Sequence, residues 1–158
     1  MAQDLELRHR VAELYVPLRR FAAVVGPVDA EPDDLVQEAF VRAMRLRPLD
    51  EYENLGAYLR RVILSIAINQ RKRASIGRRV IEQWRHSRGD VVEPTYPSDL
   101  ADLLRLSPDA RAVLWLVDVE GLPFRDVAAI VDCSEATARA RAVRARRVLR
   151  LALEDGAS

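Results

Sequence analysis

The chain has 158 residues, 49% of them hydrophobic, which is enough to form one domain or two small ones without disulfides or structural metals. Its single cysteine, Cys133, excludes an internal disulfide framework, and its two histidines, His9 and His86, are too few for a structural zinc site. No segment reaches the roughly 18 apolar residues of a membrane span, and the N-terminus lacks the apolar core of a signal peptide. These features predict a cytoplasmic protein that has no metal or other cofactor and is not inserted into a membrane.

The net charge of +1 conceals a strong segregation of charge along the chain. Residues 58–88 hold 9 basic residues and 1 acid, and residues 136–150 hold 6 arginines and no acid, whereas residues 1–57 and 89–135 are acidic overall. Two basic segments separated by an acidic one indicate two contacts with a polyanion. The structural alternative is that each basic segment is simply a solvated helix face, and charge alone leaves it open.

The spacing of apolar residues predicts three helices in the first half of the chain. The first covers residues 5–25, the second begins at Pro32 with two acids in its first turn, and the third covers residues 55–73. Three helices with short connections predict a compact α-helical domain over residues 1–73. The periodicity then fades and glycine and proline appear, which predicts a linker over residues 74–98 whose basic first half has helical character.

The second predicted domain, residues 99–158, has the pattern of a helix-turn-helix. The domain begins with a short helix over residues 99–106, and Ser107 is the N-cap of the next helix. Another short helix runs from Pro123 through Val131, and Ser134 caps the arginine-rich helix that follows. That helix carries an apolar stripe in which Ala138, Ala142, Ala145, Leu149 and Ala152 recur at helical spacing. We expect this helix to enter a major groove, although a basic surface helix of an ordinary α domain has the same pattern.

Three stretches of the chain resemble one family of proteins. The sequence LSPDARAVLWLVDVEGLPFRDVAAIVDCSEATARARAVRARRVLR resembles region 4 of bacterial sigma factors of the extracytoplasmic-function group, and PDDLVQEAFVRAMR and LGAYLRRVILSIAINQRKR resemble two consecutive helices of region 2. The resemblance covers residues 5–73 and 99–152 in the expected order. It implies an all-α protein with a three-helix region 2 and a four-helix region 4 joined by a linker. Such a protein is not an enzyme: it binds core RNA polymerase and directs promoter recognition, DNA melting and transcription initiation.

The resemblance also implies roles for individual residues. The polar face of the second helix would contact the polymerase clamp through Asp34, Gln37, Glu38 and Arg42. The third helix would contact the downstream (−10) promoter element through Tyr58, Arg60, Arg61, Asn69, Arg71 and Lys72, with loop 50–54 forming part of a pocket for a flipped base. The helix-turn-helix would contact the upstream (−35) element through Arg125, Ser134, Glu135, Thr137, Arg139, Arg141, Arg144 and Arg146, with Arg141 reaching base edges and Arg146 reaching phosphates.

The implied partners are the β and β′ subunits of core RNA polymerase, promoter DNA and an anti-sigma factor, with no small-molecule substrate. Two other functions use the same motifs. A sigma mimic would sequester an anti-sigma factor, but such proteins tend to lose the basic recognition surface, which this chain keeps. A stand-alone helix-turn-helix repressor would not need the DDLVQEAF helix.

Several residues depart from the pattern of the family. Asp132 stands in the helix-turn-helix turn where a glycine is usual, and aspartate tolerates the left-handed backbone conformation better than most residues. Pro123 replaces a hydroxyl cap before the first motif helix, and Ala138 and Ala142 stand where larger aliphatic residues are common. Cys133 is expected to be a small buried residue of the turn.

Overall fold

A computed structural model describes residues 1–85 and 104–156, with side-chain surroundings given for residues 1–77 and 104–156. All regular secondary structure in these ranges is helical. The helices are α1 (Ala2–Val25), α2 (Pro32–Leu46), α3 (Leu55–Arg85), α4 (Pro108–Leu114), α5 (Phe124–Val131) and α6 (Glu135–Gly156). A 3₁₀ turn, Leu49–Glu51, precedes α3, and a π-helical turn, Trp115–Val119, extends α4.

The N-terminal domain is formed by α1, α2 and α3, which pack against one another as the sequence predicts. Their apolar stripes meet in a core that includes the fully buried side chains of Leu18, Phe21, Val36, Leu59 and Ile63. The amide oxygen of Asn54 accepts a hydrogen bond from the Ala57 N–H at 3.0 Å, and this bond fixes the first turn of α3.

Helix α3 is longer than its apolar periodicity predicts. The sequence predicts an end near Arg73, whereas the helix continues to Arg85. Residues 74–85 contain no proline, and arginine, glutamate and glutamine favour helix, so the single glycine at position 77 does not end it. The rest of the predicted linker, residues 86–98, lies outside the described residues, as does most of the short helix predicted before Ser107.

The C-terminal domain contains the predicted helix-turn-helix, with α5 as its first helix and α6 as its second. Ser107 caps α4 by accepting a hydrogen bond from the Ala110 N–H at 3.3 Å. Asp132 ends α5 with φ 58° and ψ 54°, the left-handed conformation expected for this turn. The alanines of the α6 stripe are buried, which lets this helix approach α4 and α5 closely.

The two domains pack directly against each other, which the sequence did not indicate. Helix α4 contacts α1 and α3, and α5 contacts α3, so one continuous apolar core extends from Phe21 in the N-terminal domain to Val127 in the C-terminal domain. Arg111 crosses this boundary and is only 6% exposed. Its guanidinium donates hydrogen bonds to the carbonyl oxygens of Val25 at 3.1 Å and Leu106 at 3.0 Å.

Arg111 places a cation at the C-terminal end of α1, where carbonyl groups lack helical partners and the helix dipole is negative. Burial, together with the nearby Arg71 cation, lowers the pKa of Arg111 from its usual value. Because an arginine begins with a very high pKa, we expect the group to remain charged at neutral pH. A charged side chain of the C-terminal domain thus completes the end of a helix in the N-terminal domain.

Candidate nucleic-acid interface

The N-terminus of α6 is built as a capped and exposed helix start. The Ser134 hydroxyl accepts a hydrogen bond from the Thr137 N–H at 3.1 Å, and its oxygen lies 2.8 Å from the Thr137 hydroxyl. The predicted N-cap is therefore confirmed. The first turn is solvent-exposed at Ser134, Glu135 and Ala136, so a polyanion can approach the backbone N–H groups and positive dipole of this end.

The outward face of α6 lies opposite its buried alanine stripe. Arg139, Arg144 and Arg147 are exposed on this side. Ala136, Ala140 and Val143 are exposed among them, and sequence reasoning did not select these three small apolar residues. Their signal was the helical period itself, because positions four and seven residues after Ala136 return to the same side of a helix. Small apolar side chains in a major groove can contact thymine methyl groups.

Arg141 and Arg146 lie at the margins of this outward face. The Arg141 guanidinium approaches the Asp109 carboxylate of α4 at 4.0 Å, and the Arg146 guanidinium contacts Asp118 at 2.6 Å. Successive residues of a helix are about 100° apart around its axis, so Arg141 and Arg146 each lie beside the buried alanine stripe. Both guanidinium groups therefore face acids of the same domain in this structure, and the contact of Arg141 with base edges stays a prediction. Hydrogen bonding to Asp118 raises the pKa of Arg146 and stabilises its cationic form.

Arg139 is held between the two helices of the motif. Its guanidinium lies 4.5 Å from the centre of the Phe124 ring at the start of α5, and it donates a hydrogen bond to Glu135 at 2.8 Å. A guanidinium stacked on an aromatic face loses less side-chain freedom when it binds a further partner. Arg125 is exposed beside Phe124, with its nearest ion-pair distance, 3.9 Å to Asp126, at the limit of such a contact. These contacts place Arg139 and Arg125 at the same end of the motif.

The predicted downstream face, at the start of α3, is organised by two tyrosines. The rings of Tyr52 and Tyr58 are 4.6 Å apart between centroids, and the Arg47 guanidinium lies 5.2 Å from the Tyr52 ring. The Tyr52 hydroxyl donates a hydrogen bond to the Ala43 carbonyl at 2.9 Å, which joins loop 50–54 to the end of α2. Burial, with a further effect of Tyr58, raises the pKa of Tyr52. Tyr58 is half-buried and so keeps one edge accessible.

Arg60 and Arg61 both contact acids of the C-terminal domain. The Arg60 side chain is 12% exposed and is paired with Glu120 at 3.0 Å, so it is enclosed at the domain boundary, and its contact with the downstream element stays a prediction. Arg61 lies 3.2 Å from Asp132 and is about half-exposed. The other predicted downstream residues are exposed along α3, namely Asn69, Arg71 and Lys72. The structure thus brings Arg60 and Arg61 against another domain and leaves the distal residues open.

The predicted polymerase face of α2 is polar and accessible. Asp34, Gln37 and Arg42 are exposed and Glu38 is half-buried, in agreement with their predicted outward direction. Arg42 donates a hydrogen bond to Glu38 at 2.9 Å, an i, i+4 pair on the surface of the helix. Met44 is also exposed, at 54%, and was not selected from the sequence because its spacing predicts an inward position. An exposed apolar side chain beside polar groups is typical of an interface.

Together these features define a two-domain α-helical DNA-binding protein with a helix-turn-helix and a second basic helix. None of the helices within the described ranges has the length and apolarity required to cross a membrane. The sigma-70 region 2 model matches residues 11–76, and the sigma-70 region 4 model matches residues 103–149.

Two ECF sigma factors are similar to this chain over most of its length, in agreement with both family matches. The ECF RNA polymerase sigma factor SigC of Mycobacterium tuberculosis is 35% identical over 142 residues, which cover 82% of this chain and 74% of SigC. The ECF RNA polymerase sigma-E factor of Escherichia coli is 31% identical over 166 residues, which cover 90% of this chain and 80% of that factor. The chain therefore belongs to the sigma-70 family, in its extracytoplasmic-function group, and is a sigma factor and not an enzyme.

The fold agrees with a solved sigma factor as well. The structure of RpoE from Bartonella quintana, determined in complex with the anti-sigma factor NepR, matches with a TM-score of 0.65 at 24% identity. The match covers 94% of this chain and 97% of that one. It extends the likeness in fold across both helical domains.

Proposed function

We propose that this sigma factor reads the upstream promoter element with the outward N-terminal face of α6. The observation that carries the proposal is the capped, exposed start of α6, where Arg139 lies stacked on Phe124. In this proposal Arg139 contacts a guanine edge, while Ala136 and Ala140 face the same groove. Arg144 and Arg147, further along the helix, contact phosphates and set the register of the protein on DNA.

The other predicted upstream residues act around this centre. Ser134 and Thr137 hold the helix start against a phosphate, and Arg125 approaches the adjacent backbone from α5. Glu135 orients Arg139 in the unbound protein through their 2.8 Å contact. Arg141 and Arg146, which are engaged by acids in this structure, make phosphate contacts at the edges of the groove once those acids are displaced.

The start of α3 contacts the downstream element in the proposed function. Tyr58, whose ring is fixed by Tyr52, offers an aromatic surface on which an unstacked base can lie. Arg60 and Arg61, which pair with acids in this structure, contact phosphates at the point where the duplex opens once those acids are displaced. The exposed distal residues of α3 continue that track: Asn69, Arg71 and Lys72.

The outward face of α2 binds core RNA polymerase through Asp34, Gln37, Glu38 and Arg42. The exposed Met44 extends this polar face with an apolar contact. The partners are the β and β′ subunits in the cytoplasm, together with promoter DNA. An anti-sigma factor is a further partner, as NepR is for the RpoE protein of similar fold.

The test combines a pull-down on core polymerase with run-off transcription from a promoter library. We expect the wild-type protein to bind the polymerase and to enrich one pair of upstream and downstream sequences. Arg139→Ala should weaken use of the upstream element by about 1–3 kcal/mol and relax its sequence preference at one position. Arg147→Ala should instead lower affinity uniformly and reduce the salt dependence by about one phosphate contact.

The matched control is Arg8→Ala, which removes the same charge from an exposed position near the start of α1. It should leave promoter selection unchanged. Binding to polymerase without transcription would favour a sigma mimic, and DNA binding without polymerase binding would favour a repressor. An Arg139→Ala protein with the wild-type promoter preference would contradict the assignment of α6.

A further inference from the structure

A groove in the C-terminal domain lies between the start of α4 and the middle of α6. One wall is formed by residues 105–110 and the other by residues 141–148, and the volume between them is about 270 Å³. Small-molecule sites usually measure about 300–1,000 Å³, so this groove suits a small ligand. Because α4 packs directly against α6 within one domain, the groove does not depend on how the two domains are arranged.

Three arginines line this groove, and none of its lining residues is an acid. Arg105 and Arg144 are exposed, whereas the Arg141 side chain is only 29% exposed. The Asp109 carboxylate, just outside the groove, lies 4.0 Å from Arg141 Nη1, which is longer than a hydrogen bond. An anion in the groove can approach Arg141 to about 2.8 Å, and the partial burial of this guanidinium reduces screening of the attraction by salt.

The floor of the groove is apolar. Leu106 and Ala145 are buried beneath it, and Val148 forms one side and is 39% exposed. The Ser107 hydroxyl at the edge accepts a hydrogen bond from the Ala110 N–H at 3.3 Å, and a serine hydroxyl that accepts one bond can also donate one. An apolar floor surrounded by cations suits a ligand with an apolar body and an anionic group, since a bare phosphate would leave the floor uncovered.

We propose that this groove binds a small molecule of the aryl phosphate class, which has a flat apolar body and one dianionic group. Arg141 and Arg144 hold the phosphate from α6, Arg105 holds it from the opposite wall, and Val148 covers the apolar body. A phosphate of the DNA backbone carries the same kind of charge but brings no flat apolar body to the floor. Since Arg141 and Arg144 contact DNA in the proposed function, the ligand competes with the upstream element, and this consequence rests on the proposed function.

Isothermal titration calorimetry of the full chain with three probes tests the site. We expect 1-naphthyl phosphate to bind with a dissociation constant of about 1 mM or lower, as the usual affinity per atom of a small ligand indicates. Inorganic phosphate and 1-naphthol should each bind at least about tenfold more weakly, because each keeps only the charge or only the apolar body. Methyl NMR locates the ligand, since the shifted signals should belong to the apolar lining: Leu106, Ala110, Ala145 and Val148.

Three variants separate a built site from general attraction between charges. Arg141→Gln keeps hydrogen-bonding capacity and removes the charge, and it should weaken 1-naphthyl phosphate binding by about tenfold. Val148→Asp places a carboxylate against the ligand and should abolish binding. Arg150→Gln removes the same charge from an exposed position of α6 outside the groove and should leave affinity within about twofold of wild type. Equal losses in Arg141→Gln and Arg150→Gln would overturn the proposal.

Competition with DNA is measured on the assembled holoenzyme with a duplex that carries the upstream element, at constant ionic strength. Saturating 1-naphthyl phosphate should lower the affinity for this duplex by about tenfold, because it occupies two phosphate contacts. Binding in the groove without competition keeps the site and contradicts instead the assignment of Arg141 and Arg144 to DNA. If 1-naphthyl phosphate does not bind, or shifts only methyl signals outside the groove, the inference is wrong whatever Arg139→Ala does to promoter preference.

Discussion

Substituting Arg111 is expected to destabilise the protein more than any substitution of a surface arginine. Arg111 is 6% exposed and donates one hydrogen bond across the domain boundary to Val25 and one within its own domain to Leu106. Arg111→Met keeps much of the apolar stem and removes all of the donors. The side-chain volume is largely preserved, so the effect reports mainly on the hydrogen bonds and the charge.

The magnitude follows from those two bonds. A hydrogen bond from a charged donor contributes about 1.5–3 kcal/mol, and a buried carbonyl left without a partner costs a similar amount. Removing the buried guanidinium also removes its desolvation penalty, which offsets part of the loss. We therefore expect the free energy of unfolding to fall by about 2–4 kcal/mol, a large part of the stability of a small domain.

Urea denaturation followed by circular dichroism measures this change. Arg125→Met is the control, because Arg125 is 80% exposed in its side chain, and we expect it to change stability by about 0.5 kcal/mol or less. The wild type should unfold in one transition because its core is continuous across both domains, whereas Arg111→Met should broaden or split that transition. Equal stability of the two variants would show that Arg111 does not hold the domains together.

Three further substitutions test local contacts. Ser134→Ala should lower the free energy of unfolding by about 1 kcal/mol because α6 loses its N-cap, whereas Ser134→Asp should retain it; equal stability in urea would contradict the cap. Phe124→Leu should weaken upstream-element binding by the holoenzyme about two- to fivefold, because Arg139 loses its stacking surface; DNA titration measures this, and unchanged affinity would show that stacking is not needed. The Tyr15 hydroxyl is the main cause of the lowered pKa of Asp33, so Tyr15→Phe should raise that pKa in a carbon-13 NMR titration. A carboxyl group whose pKa is lowered by folding stabilises the fold at pH values above its unfolded-state pKa, and this stabilisation is lost as the pH falls through its folded-state pKa. The difference in the free energy of unfolding between Tyr15→Phe and wild type should therefore disappear in acid.

Local signals predicted most of the helices. Pro32 with two following acids marked the start of α2, and Ser107 and Ser134 marked the caps of α4 and α6, because these residues act on backbone groups within one turn. The predicted end of α3 was wrong because the fading periodicity and Gly77 were interpreted as a linker, whereas one glycine among residues that favour helix does not end a helix.

Contacts between the domains had no local signal. Arg60 and Glu120 are separated by 60 residues, and nothing in either neighbourhood indicates that the two meet. The resemblance to the family therefore assigned Arg60 to DNA without indicating its partner in the C-terminal domain. Arg141 and Arg146 likewise contact acids that their own helix does not indicate, since Asp109 lies in α4 and Asp118 in the π-helical turn that extends it.

Asp132 connects the local and the long-range arguments. A glycine would adopt the left-handed conformation at φ 58° without strain, so aspartate at this position carries a modest conformational cost. The Asp132 carboxylate also contacts Arg61 of the other domain at 3.2 Å, a contact that glycine would lack. A departure from the sequence pattern of the family at the turn thus coincides with a contact between the two domains. The same side chain that strains the turn also joins α5 to α3, so a local cost and a long-range contact arise at one residue.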